Sequence, residues 1–141
     1  MIAVPIWALD FGLGDGGLTS GGATGQWEWG EPTTGPVGAG PCWCTHCDGE
    51  YLHDTVDWLA LPPLALSGLA HPSLRLRHWY AIRPGDAGTV ELDPGSGFAP
   101  IAPVYGYPDL AGFVGESGGF VDSVFDLSSA GASADARLVL T

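Results

Sequence analysis

All three cysteines of the chain fall in one ten-residue stretch, Cys42-Trp43-Cys44-Thr45-His46-Cys47-Asp48-Gly49-Glu50-Tyr51, with His53 and Asp54 just beyond it. Thiolates and imidazoles are the ligands that zinc prefers, and Cys42, Cys44, Cys47 and His46 supply the four that a structural site needs. Cys44 and Cys47 also form a C-x-x-C, the spacing of redox-active dithiols, but no helix follows whose N-terminus would lower a thiol pKa. The same letters read equally well as a β-strand entering a turn at Asp48-Gly49. On such a strand Cys42 and Cys44 share a face with Cα atoms about 6.6 Å apart, which strains a bridge between them. Alternation sends Cys47 to the opposite face unless the strand breaks before it. The expectation is therefore structural thiols, each acting as a small hydrophobe, with a disulfide and a metal–thiolate site as alternatives.

Carboxylates offer a second chemistry. Asp10 and Asp15 flank a glycine-rich turn, and Asp86 stands in the turn Gly85-Asp86-Ala87-Gly88. Loop oxygens beside glycine are what Ca²⁺ takes, although Asp next to Gly is also ordinary turn chemistry. The aromatic set Trp27, Trp29, Trp43, Trp58, Trp79 and Tyr80 offers a third. Indole faces stack on sugar rings, yet most such residues fill a core; Trp27 and Trp29, sharing a strand face, are the expected exception. Enzymatic sets are poor. No G-x-S-x-G elbow and no H-E-x-x-H is present, and His78 lies in line with Leu74 and Leu76, the place of a satisfied core histidine. A non-catalytic chain is expected.

The elements that must position these residues are short strands. With 141 residues, 45% of them hydrophobic, the chain suits a single domain spanning 1–141. Its 23 Gly and 12 Pro leave almost no ten-residue run free for a helix. Strands are expected at Ile2–Phe11, Gln26–Trp29, Cys42–Thr45, Asp57–Leu61, Leu64–Leu66, Leu74–Tyr80, Thr89–Asp93, Phe120–Leu127 and Ala136–Leu140. The clearest is Leu74-Arg75-Leu76-Arg77-His78-Trp79, which alternates apolar and charged residues with period two. Turn signals recur every ten residues or so, the spacing of an all-β, two-sheet antiparallel sandwich of jelly-roll size.

Sixteen acidic residues against four arginines give a net charge of −12. Such a surface repels phosphate backbones and anionic lipid, which excludes nucleic-acid and membrane-surface partners. No apolar run is long enough to span a bilayer. Met1 to Trp7 lacks the basic start and cleavage site of a signal peptide, so the chain is expected to be cytosolic or a mature or excised piece of an exported protein.

Several segments in order resemble the MAM-like, concanavalin-type β-sandwich modules of secreted bacterial proteins, best known from metallopeptidases of the immune inhibitor A type. They are Asp10-Phe11 with Asp15-Gly16-Gly17-Leu18; Trp27-Glu28-Trp29-Gly30; Cys42-Trp43-x-Thr45-x-x-Asp48-Gly49-Glu50-Tyr51; Leu59-x-x-Pro62-Pro63; Leu76-x-His78-Trp79-Tyr80; Gly88-x-Val90-Glu91; and Phe125-Asp126-Leu127-Ser128. The resemblance implies an accessory binding module, outside the cell or at its surface. Its partners would be neighbouring domains of a longer protein, or an extracellular protein or glycan, and calcium would stabilise it. Two departures stand out. Gly12 occupies a position where the family commonly has an acid, and no closing strand follows the one that matches Arg137–Leu140.

Overall fold

The computed structural model describes Pro5 and residues 7–141. Among the described residues twelve strands are present: β1 (Thr19–Gly22), β2 (Trp27–Gly30), β3 (Cys42–Thr45), β4 (Asp57–Ala60), β5 (Leu64–Ala65), β6 (Ser73–His78), β7 (Ala81–Ile82), β8 (Gly88–Asp93), β9 (Ala99–Ile101), β10 (Gly115–Glu116), β11 (Val121–Asp126) and β12 (Ser133–Leu140). One 3₁₀ turn, Ser128–Ala130, precedes β12. The fold is an all-β antiparallel sandwich, as the turn spacing implies.

One layer is a six-stranded sheet in the order β1-β4-β12-β8-β9, with β5 continuing along the β4 side of β12. The other is divided into ribbons, among them β6–β11 and β7–β10. Alternation decides which side chains meet between the layers. Leu59 and Val90 stand opposite Leu138 on either side, and Leu92 stands opposite Ala136. Val90, Leu92, Ala136 and Leu138 pack in one cluster with Phe125 and Leu127 from the β11 end of the ribbon and Phe113 from the loop before β10. Val90 and Phe125 are completely buried. Burying each such side chain contributes roughly 1.5–3 kcal/mol, and small Ala134 and Ala136 let the layers approach. His78 sits where its alternation places it, half-buried, 2.9 Å from Ser123 Oγ and packed on Phe113 and Tyr80. Burial lowers its pKa.

Two strand expectations change. Residues Trp7–Phe11 form no strand; Phe11 takes a left-handed φ of 60°, which ends any extended run, and the remainder of the expected Ile2–Phe11 strand lies largely outside the described residues. Conversely, the glycine-rich tract carries β1, an edge strand paired with β4. Its glycines are required by packing: a Cβ on Gly21 would collide with the Trp58 ring, and Gly22 (φ 105°) lies against the Val56 carbonyl and Asp57.

Candidate functional site

The cysteine stretch builds a hairpin arm outside the main sheet. β2 pairs with β3 so that Glu28 stands opposite Cys44, Trp29 opposite Trp43, and Gly30 opposite Cys42. The strand breaks after Thr45. His46 adopts a left-handed φ of 56°, uncommon for any residue but glycine, and this reverses the direction of the chain. Cys47 is thereby returned to Cys44, and the two form a disulfide with Cα atoms 5.1 Å apart. This corrects the expectation of three structural thiols: alternation would have parted the pair, and the His46 backbone cancels it. Cys42 is the free cysteine, with a pKa raised by burial. Its Sγ lies 4.0 Å from Cys44 Sγ. Cys47 is buried, and its N–H donates to Glu28 Oε1 at 2.6 Å.

Trp27 and Trp29 come from the same arm, but the structure uses them locally. The indole N–H of Trp29 donates to the Phe11 carbonyl (3.0 Å), and that of Trp43 to the Asp15 carbonyl (2.8 Å). The segment around 11–15 is thus tied to this indole pair, while Trp27 is half-buried and its Nε1 has no partner among the described residues.

The expected calcium ligands stand in different settings. Asp10 accepts the N–H of Gly12 and Asp15 that of Gly17, each closing its own turn. Asp86 is buried, its Oδ2 accepting from Tyr51 Oη and contacting His53 Nδ1, both at 2.9 Å. The bond to His53 is the main influence that lowers the Asp86 pKa; burial opposes it, and Tyr51 adds to it. Among the described residues no three His, Cys, Asp or Glu side chains gather as a metal would require.

Two features were not singled out by sequence reasoning. Asp57 is completely buried and accepts five hydrogen bonds at 2.7–2.9 Å, from Thr24 N and Oγ1, Gly25 N, Gln26 Nε2 and Thr55 Oγ1. Burial, the largest single influence, pushes its pKa up; the hydrogen bonds together outweigh it and hold the carboxyl well below the usual range. The second is an open groove of about 380 Å³ lined by Pro36–Ala39, Trp79, Gly119 and Phe120. Trp79 extends the outward face of β6 and Phe120 leads into β11. One step along the same face Arg77 pairs with Asp122 at 3.8 Å and reaches over the Phe120 ring, 5.3 Å from its centroid. Gly35 (φ 72°) packs against the indole so closely that a Cβ there would lie 2.8 Å from it. The 36–39 loop is thereby seated beside Trp79.

No protein-family model, curated protein or solved structure matches this chain.

Proposed function

We propose that this chain is a non-catalytic β-sandwich binding module of an exported bacterial protein, related in kind to the MAM-like modules its sequence resembles, and that it binds neutral pyranose sugars at the Trp79 groove. The observation that carries the reading is the Trp79–Phe120 floor, with Trp79 36% exposed and flanked by the Arg77–Asp122 pair. A sugar ring offers C–H groups to an aromatic face and hydroxyls to charged or amide groups at its edge; the groove lining supplies the aromatic face, and the Arg77–Asp122 pair lies one step along β6 from it. Its volume lies in the range of small-ligand sites. Net charge selects among sugars: at −12 the surface disfavours uronic acids and sulfated chains. The Cys44–Cys47 disulfide supports an oxidising compartment, hence a place outside the cytosol.

Neutral and acidic oligosaccharides titrated calorimetrically against the chain test this. Binding of a neutral oligosaccharide is expected, with affinity at least about tenfold weaker in Trp79→Ala, a loss of about 1.4 kcal/mol. Trp29→Ala is expected to bind as the parent does. Preference for acidic sugars, or loss in Trp29→Ala with retention in Trp79→Ala, would overturn the assignment.

A further inference from the structure

We propose that Cys44 is a site of reversible S-thiolation by small-molecule thiols and that Cys42 is the built-in thiol that clears the adduct. The inference is independent of the sugar groove and rests on the arrangement of three sulfurs on one hairpin arm.

The Cys44–Cys47 disulfide is asymmetric. Cys47 is 7% exposed and lies beneath Gly30, where an added Cβ would come within 3.8 Å of its sulfur. Cys44 is only half-buried. A thiolate arriving from solvent therefore meets Cys44 Sγ, and Cys47 is the leaving group. The Sγ–Sγ bond breaks, the electron pair departs on Cys47 Sγ, which takes a proton from water, and a mixed disulfide forms at Cys44. Neither oxidant nor reductant is consumed.

Two thiols can then attack Cys44. Cys47 is the slower of the two, because it is buried near Gly30 with its Sγ 3.6 Å from the Glu28 carbonyl oxygen. Cys42 already lies 4.0 Å from Cys44 Sγ. As a thiolate it attacks that sulfur, a Cys42–Cys44 bond forms, and the small thiol leaves with the electron pair. Residues two apart on a strand place their Cα atoms about 6.6 Å apart, near the limit for a disulfide. The new bond is thus strained and the most easily opened of the three, so even the slower Cys47 thiol displaces Cys42 from it and restores the starting pair. The titratable groups around the sulfurs are Glu28 opposite Cys44 and His46 and Asp48 in the turn. Burial raises the Cys42 pKa, so clearance accelerates with pH, about tenfold per unit while Cys42 remains mostly protonated.

The test removes Cys47 so that only Cys42 can act. Folded Cys47→Ser and Cys42→Ser/Cys47→Ser chains are treated with oxidised glutathione, quenched with acid, and mapped by peptide mass spectrometry. The single variant is expected to yield a Cys42–Cys44 linked peptide. The double variant is expected to retain at least about tenfold more glutathione on Cys44, since a tethered thiol competes at millimolar effective concentration. Equal adduct in both variants would overturn the proposal. For variants that do not fold, the unmutated chain serves: with Cys42 blocked by iodoacetamide, reduced glutathione is expected to accumulate on Cys44. An adduct on Cys47, or none above the unblocked chain, would equally overturn it.

Discussion

Replacing Asp57 tests whether a buried carboxylate held by neutral hydrogen-bond donors stabilises this fold. In Asp57→Ala the backbone N–H groups of Thr24 and Gly25, both exposed residues, lose the acceptor they share, Oδ1, at a part-buried site. The two threonine hydroxyls can turn elsewhere, Thr55 Oγ1 already being 3.4 Å from the Leu52 carbonyl. Two part-buried donors at the low end of about 1–3 kcal/mol each give a loss of about 2 kcal/mol, a sizeable share of a domain's total stability. Asp57→Asn keeps the Oδ1 acceptor and can meet the hydroxyls through its amide. It conflicts only with Gln26 Nε2, whose own amide is fixed because Gln26 Oε1 accepts the Leu52 N–H. About 1–3 kcal/mol is expected for that one conflict.

The sign of the pH dependence follows from the lowered folded pKa. The Asp57 contribution is full above the unfolded value of about 3.9 and is lost as pH falls below it toward the folded value. Urea unfolding followed by tryptophan fluorescence at pH 7 and pH 3 reads both effects, the adjacent Trp58 serving as one reporter. Asp57→Ala should melt roughly 4–8 °C lower at neutral pH, at 2–4 °C per kcal/mol. The gap between parent and Asp57→Asn should narrow at pH 3. If both variants matched the parent within about 0.5 kcal/mol, or if the gap did not change with pH, the account of Asp57 would be wrong.

Arg137 offers a contrasting ion pair: its Nε lies 2.6 Å from Glu91 Oε1, and its guanidinium stacks 4.0 Å from the Phe98 ring centroid. A double-mutant cycle of Arg137→Lys with Glu91→Gln should give a coupling of about 1–2 kcal/mol, since lysine keeps the charge but loses the planar fork and the stacking. Tyr51→Phe should cost about 1–3 kcal/mol in urea unfolding, because Tyr51 Oη both donates to Asp86 and accepts the Arg83 N–H. Reducing the Cys44–Cys47 disulfide, which closes a short loop, should cost about 2 kcal/mol and be visible as a melting shift of roughly 4–8 °C.

Where local pattern settled the matter, sequence and structure agree. The alternation of Leu74 to His78 survives residue by residue in β6, because one face of a half-buried ribbon meets the core and the other meets water. β1 was hidden because its residues were chosen for a neighbour's bulk: Gly21 makes room for Trp58, and glycine is the weakest strand signal. The Cys44–Cys47 bond was hidden by one backbone angle at His46. The Asp57 cluster was out of reach for a different reason, since four of its five donors lie 31–33 residues away. Trp79 was visible as an aromatic residue, but what seats a loop beside it is Gly35, 44 positions earlier in the chain.

The place of β12 has a consequence for how the fold is reached. It lies in the middle of the large sheet, paired with β8 on one side and with β4 and β5 on the other. A ribosome delivers those residues after every strand they join. Until Ser133–Leu140 emerge, β1–β4 and β8–β9 are separate strand pairs that share no ladder hydrogen bond, each showing an open edge where β12 will stand. Closure of the sheet is therefore a late, non-local event, the kind that slows folding and leaves strand edges exposed to other chains while they wait.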